Sequence, residues 1–109
     1  MVPGVANYKD FVRGDTINAR QFTLTKDSNP IDLTNCTIKC DFVLNKSIQS
    51  KTIGNGITLI DAAQGQFQID SFVLDKVGQW DYDIEITFTS GEIKTYIKGV
   101  INIESDVTK

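Results

Sequence analysis

The feature that most restricts the fold of this chain is a run of period-two alternation, WDYDIEITFTSGEIKTYIKGVINI, from Trp80 to Ile103. Trp80, Tyr82, Ile84, Ile86 and Phe88 alternate with Asp81, Asp83, Glu85 and Thr87, and a second alternating stretch follows the Ser90-Gly91 pair. Successive strand side chains point to opposite faces, so this pattern predicts two long strands, each with one buried and one wet face. A two-residue Ser90-Gly91 hairpin turn would set Phe88 opposite Ile93, Ile86 opposite Thr95, Ile84 opposite Ile97, Tyr82 opposite Gly99 and Trp80 opposite Ile101. One face is then almost wholly apolar, with Tyr82 covering the gap at Gly99. A slip of one residue would put Trp80 and Ile84 in water, so burial selects the register.

On the other face the same register sets Asp83 against Lys98, Glu85 against Tyr96 with Lys94 and Lys98 on its diagonals, and Thr87 against Lys94. Successive acids on one strand face lie about 6.6 Å apart, too far for a tight shared cation. Surface ion pairs of this kind contribute only about 0–1 kcal/mol each. Asp81, Asp83, Glu85, Lys94, Tyr96 and Lys98 are therefore expected to form the wet face of the longest hairpin, and a candidate charged interaction surface rather than a catalytic or metal site.

The rest of the chain repeats the alternation in short segments separated by Gly, Asn, Asp, Ser and Pro. Strands are predicted over 16–25, anchored by Ile17, Phe22 and Leu24, and over 37–45, 47–53, 57–60 and 66–69. Gly54-Asn55-Gly56 is expected to be a hairpin turn, and Pro30 argues against a central strand at 28–34. Phe72, Val73, Leu74 and Val77 are too dense to alternate, which predicts one short helical turn over Ser71–Val77, capped by Ser71 and ended by Gly78. About seven short strands with turns at short intervals point to an all-β, two-sheet antiparallel sandwich with Trp80 between the sheets. A closed barrel is the alternative, less favoured because the strands differ in length.

At 109 residues there is room for one domain and one core. Residues 1–13 are expected to form an N-terminal arm and residues 14–109 the sandwich. Tyr8, Phe11 and Val12 in the arm are apolar and lie outside the strand pattern; they are candidates for an exposed contact or for folding back onto the domain.

Composition removes several function classes. The 11 basic and 14 acidic residues give a net charge of -3 without clustering, unlike a nucleic-acid binder. There is no histidine, so nucleophilic chemistry lacks its usual base, and no phosphate-loop, dinucleotide or zinc-protease motif is present. An enzyme is the least expected class, and no cofactor or metal is expected. No Asp-rich calcium loop occurs either. Cys36 and Cys40, four residues apart on a strand, would be separated by about 13 Å, beyond the ~7 Å a disulfide tolerates; both are expected to be buried, reduced core residues. The first fifteen residues lack the pattern of a secretory signal, and no stretch approaches the length of a membrane span. Arg13-Gly14-Asp15 is expected to be a turn rather than an adhesion motif.

A series of residues in fixed order carries a resemblance: Gly14-Asp15-Thr16, Phe22, Leu24, Pro30-Ile31-Asp32-Leu33-Thr34, Gly65-x-Phe67, Gly78-x-Trp80-x-Tyr82-x-Ile84, Ser90-Gly91-Glu92, Thr95, Gly99, Ile103 and Asp106-Val107-Thr108. Together they resemble the immunoglobulin-like β-sandwich of tailed-bacteriophage virion proteins, and are similar to the N-terminal module of baseplate upper proteins. Family members often carry a Gly before the Pro-Ile-Asp-Leu-Thr stretch, where this chain has Asp27-Ser28-Asn29. The resemblance implies a non-enzymatic virion component, made in the host bacterial cytoplasm, that binds other virion proteins or copies of itself. Baseplate or tail, the head–tail joint and capsid decoration are the expected locations. A carbohydrate- or host-surface-binding module, stacking sugars on Tyr96 or Tyr8, is the alternative.

Overall fold

A computed structural model describes residues 4–105, and they form an all-β, sandwich-like fold. The early strands are β1 (Gly4–Val5), β2 (Phe11–Val12), β3 (Arg20–Thr23), β4 (Thr25–Lys26) and β5 (Asn29–Pro30). They are followed by β6 (Thr37–Leu44), β7 (Ser47–Ile53), β8 (Gly56–Asp61), β9 (Gln66–Ile69), β10 (Gly78–Thr87) and β11 (Ile93–Glu104). One hydrogen-bonded sheet runs in the order β1-β11-β10-β6-β7-β8-β9-β3, with β2 also on β11, and β4 and β5 form a separate hairpin. The sheet curls strongly, so that β8, β9 and β3 share one core with β6, β10 and β11.

Period-two alternation builds that core. Ile38, Cys40 and Phe42 from β6 meet Trp80, Tyr82, Ile84 and Ile86 from β10, Ile101 and Ile103 from β11, and Phe67 and Ile69 from β9. Full burial of each large apolar side chain stabilises by roughly 1.5–3 kcal/mol. The Trp80 indole satisfies its buried N–H by donating to the Lys76 carbonyl at 3.0 Å. Both cysteines are free and buried, as expected.

Three local expectations are corrected. Gly54-Asn55 is not the turn of an antiparallel hairpin: Thr52 and Ile53 pair in parallel with Gly56 and Ile57, so the chain turns a corner between β7 and β8. Ser71–Val77 holds no helical turn, because Phe72 instead exchanges backbone hydrogen bonds with Ile17 at 2.8 and 3.1 Å. The helical turn present is a 3-10 turn at Ala62–Gln64, closed by Gly65 at φ 71°.

The long hairpin is the third. Trp80–Ile101, Tyr82–Gly99, Asp83–Lys98 and Ile84–Ile97 pair as expected, but Glu85 faces Thr95, Ile86 faces Lys94 and Thr87 faces Ile93. Phe88 N–H bonds to the Glu92 carbonyl at 2.8 Å, and Gly91, at φ 90°, donates to Phe88 at 2.9 Å. The loop is therefore Thr89-Ser90-Gly91, a three-residue turn with glycine in the left-handed position. The resulting one-residue offset is absorbed by a β-bulge at Tyr96, which restores the expected register from the Ile84–Ile97 pair onward.

Candidate interaction surface

The bulge redistributes the candidate residues. Tyr96, expected on the wet face, is half-buried with its ring 6.2 Å from that of Phe88, while Ile93, expected to face Phe88, is 58% exposed. Lys94 lies 3.6 Å from Glu92 and opposite Ile86, so it does not flank Glu85 as expected.

The N-terminal residues are drawn onto β11. Backbone bonds from Ala6 to Lys98 (2.9 Å) and from Tyr8 to Val100 (3.0 Å) continue the parallel pairing begun by β1. Of the two alternatives for Tyr8, exposed contact and folding back, the structure has the second: it is only 8% exposed, its ring 5.3 Å from that of Tyr82 and 6.0 Å from that of Phe42. The Arg20 guanidinium covers its other side at 4.8 Å. Burial, with the Tyr82 hydroxyl adding to it, pushes the Tyr8 phenol well above its ordinary value. Phe11 and Val12 are half-buried and pair with Ile103 and Glu104. The apolar side chains of this stretch thus have the core and β11 as neighbours. Arg13-Gly14-Asp15 does form a turn, with Gly14 at φ 86° and the Asp15 N–H on the Val12 carbonyl at 3.0 Å.

Asp81, Asp83 and Glu85 do line the outer face of β10, but their surroundings are set as much by β6 as by β11. Asp81 stands between Val43 and Val100, Asp83 between Asp41 and Lys98, and Glu85 between Lys39 and Thr95. Among the described residues, none of these three carboxylates has a cation within 4.0 Å. Lys39 instead reaches Asp41 Oδ2 at 3.8 Å, and the other Asp41 oxygen, Oδ1, is shielded from solvent with no hydrogen-bond partner. Partial burial raises the Asp83 carboxyl above its ordinary value, and Asp41 and Glu85 push the same way, partly offset by Lys39.

Asp41, Asp81 and Asp83, with Lys98 beside them, line a groove of about 500 Å³ over β10 and β11, bounded by Val5 and Asn7 on one side and Asp41 and Val43 on the other, whereas Glu85 lies outside it. Asn7 fixes its margin by accepting the Val100 N–H on Oδ1 at 3.0 Å. Sequence reasoning missed Asp41, Val43, Val5, Asn7 and Val100. The phase of Lys39, Asp41 and Val43, opposite to that of Ile38, Cys40 and Phe42, does mark them as outward. Nothing local shows that β6 lies beside β10.

Lys51 was also missed. It pairs across from Cys40, is 6% exposed, donates to Gln49 Oε1 at 3.1 Å and lies 3.9 Å from the Phe72 ring centre. Burial lowers its pKa, with the Cys40 thiol and Asp70 acting against that shift.

A curled all-β domain with an open groove on a sheet face is an architecture that serves many functions, so the fold by itself does not assign one. The chain is a member of the BppU N-terminal domain family, whose model matches residues 7–106. That family makes it a structural domain of the phage baseplate. No curated protein matches the chain.

Proposed function

We propose that this protein is a non-enzymatic baseplate component that acts through protein–protein contacts, binding other virion proteins and, in the assembled ring or shell, copies of itself. It is made in the host bacterial cytoplasm and built into the virion there. The observation that carries this reading is the family match across residues 7–106, which covers the core strands and every groove residue except Val5. The absence of histidine from the sequence agrees with it. Residues 4–13 of the arm and the described part of the body, 14–105, then work as one docking unit, because β1 and β2 extend the same sheet as β11. The family favours the baseplate over the head–tail joint or capsid decoration.

Mass spectrometry of purified particles tests the proposal: the protein is expected in mature virions at a fixed ratio to the tail proteins. Its absence from them would overturn the reading. The carbohydrate-binding alternative depended on exposed Tyr8 and Tyr96 rings; with Tyr8 buried and Tyr96 packed on Phe88, no observation favours it.

A further inference from the structure

We propose that the groove between Val5 and Val43 seats a basic segment of a neighbouring virion protein, with a lysine or arginine side chain entering among Asp41, Asp81 and Asp83 and its apolar neighbours lying on Val5, Val43 and Val100. This assignment rests on the baseplate reading and adds the chemistry of the partner to it.

The first support is an arrangement that works against folding. Asp41 and Asp83 are direct cross-strand partners on the outer face, and like charges placed opposite each other destabilise a sheet. The Asp41 Oδ1 atom is hidden from solvent yet has no hydrogen-bond partner, a state that native proteins rarely leave uncorrected. Lys39, 3.8 Å from Asp41 Oδ2, and Lys98, opposite Asp83, offset only part of the charge of Asp41, Asp81 and Asp83. A guanidinium or ammonium seated over the two strands would neutralise the rest, and an arginine could bridge the two carboxylates with its fork of N–H donors once the Asp41 carboxylate turns outward. Features that cost stability without improving packing tend to mark functional sites.

The second support is the wall chemistry. Val5 is 68% exposed, and Val43 and Val100 flank Asp81 on either side, so apolar contact area adjoins the acidic row. A groove with both features fits an extended segment in which one basic residue is flanked by apolar ones, and disfavours nucleic acid, whose phosphates the carboxylates would repel. A second copy of the chain is disfavoured as occupant by its net charge of -3.

The test uses phage particles carrying the full chain. A photo-reactive p-benzoylphenylalanine placed at the exposed Val5 is irradiated in purified particles, and the joined peptide is sequenced. The proposal expects a peptide from a different virion protein with a lysine or arginine within a few residues of the joined position. A peptide lacking a basic residue, a peptide from a second copy, or no joined product in particles that contain the protein would each overturn it. In parallel, Asp41→Asn/Asp83→Asn should cut incorporation into particles by about tenfold or more while the isolated variant melts no lower than the parent. Incorporation unchanged in that variant would also overturn the groove. Absence of even the parent protein from particles would instead sink the baseplate reading, which keeps the two failures distinct.

Discussion

Tyr82 on β10 donates its hydroxyl to the main-chain carbonyl of Ala6, and its ring lies over the bare backbone of Gly99 on β11. A Cβ at position 99 would press on that carbonyl oxygen and stand 2.8 Å from both the Ala6 carbonyl carbon and the Tyr82 ring. Gly99 is thus what lets the chain around Ala6 approach the long hairpin. Gly99→Ala is expected to lower stability by about 1–3 kcal/mol through overpacking. The same change should speed amide exchange at Ala6 and Tyr8, whose N–H groups bond to Lys98 and Val100. Chemical denaturation and hydrogen exchange measure the two effects; an unchanged midpoint with intact protection would show that the approach is not tight.

The β4–β5 hairpin turns on Asp27 and Ser28, which hold φ values of 53° and 67°. Two consecutive left-handed residues in a two-residue loop make a type I′ turn, where glycine is favoured at the second position. Asp27 suits the first position, but serine carries a Cβ that glycine lacks. Ser28→Gly is expected to stabilise the domain by about 0.5–1 kcal/mol, reduced somewhat by the greater freedom of glycine in the unfolded chain. Thermal unfolding gives the answer directly, and a lower melting temperature would count against this turn geometry.

The long alternating strands were legible because one physical requirement, burial of every second side chain, fixes both strand and face. It fixed Trp80, Tyr82 and Ile84 against Ile101, Gly99 and Ile97. It could not reveal the three-residue loop, since Ser90-Gly91 suits two turn lengths and only the φ of Gly91 and the Phe88–Glu92 bond decide between them. Alternation with a two-residue turn places Tyr96 in water, whereas the bulge turns it toward Phe88. For Tyr8 the sequence leaves exposed contact and folding back open, because a single aromatic in an irregular segment has no period and its burial depends on pairing with a strand some ninety residues away. The acids of the groove were half legible: β10 supplied Asp81 and Asp83, whereas Asp41 needed the long-range neighbour relation of β6.

Lys51 occupies an inward position on β7, where its ammonium meets the Phe72 ring and Gln49 without a carboxylate partner within 4.0 Å among the described residues. Desolvation of a cation is only partly repaid by cation–π and amide contacts, so an unbranched apolar side chain of similar length should serve the fold at least as well. Lys51→Met is expected to raise stability by about 1 kcal/mol, whereas Lys51→Ala, which empties the space beneath Phe72, should lower it by a similar amount. Urea unfolding of both variants checks the pair of signs. Destabilisation by methionine would mean that the charge itself holds the 70–77 segment in place.

Alkaline pH should unfold the domain through its buried acids. Burial pushes the Cys40 thiol up from 9.0 to about 12, with Asp83 and Asp41 adding to the rise and Lys51 opposing it. Burial likewise lifts the Tyr82 phenol from 10.0 to about 12, and Tyr8 moves in the same direction. For each group the folded value lies above the unfolded one. The unfolded chain therefore loses its proton first, and stability, fully present below pH 9, falls as pH rises toward 12. Lys51 works in the opposite direction, because its lowered pKa lets the folded state shed a costly charge earlier. Cys40 alone should remove about 1–2 kcal/mol by about pH 10.5, a loss of roughly 5–10 °C in Tm for a domain of this size. Circular dichroism melts from pH 8 upward measure it, and Cys40→Ala, though less stable at pH 8 because of the cavity it leaves, should show a shallower decline. A Tm independent of pH over this range would show that the Cys40 thiol ionises as readily inside the fold as outside it.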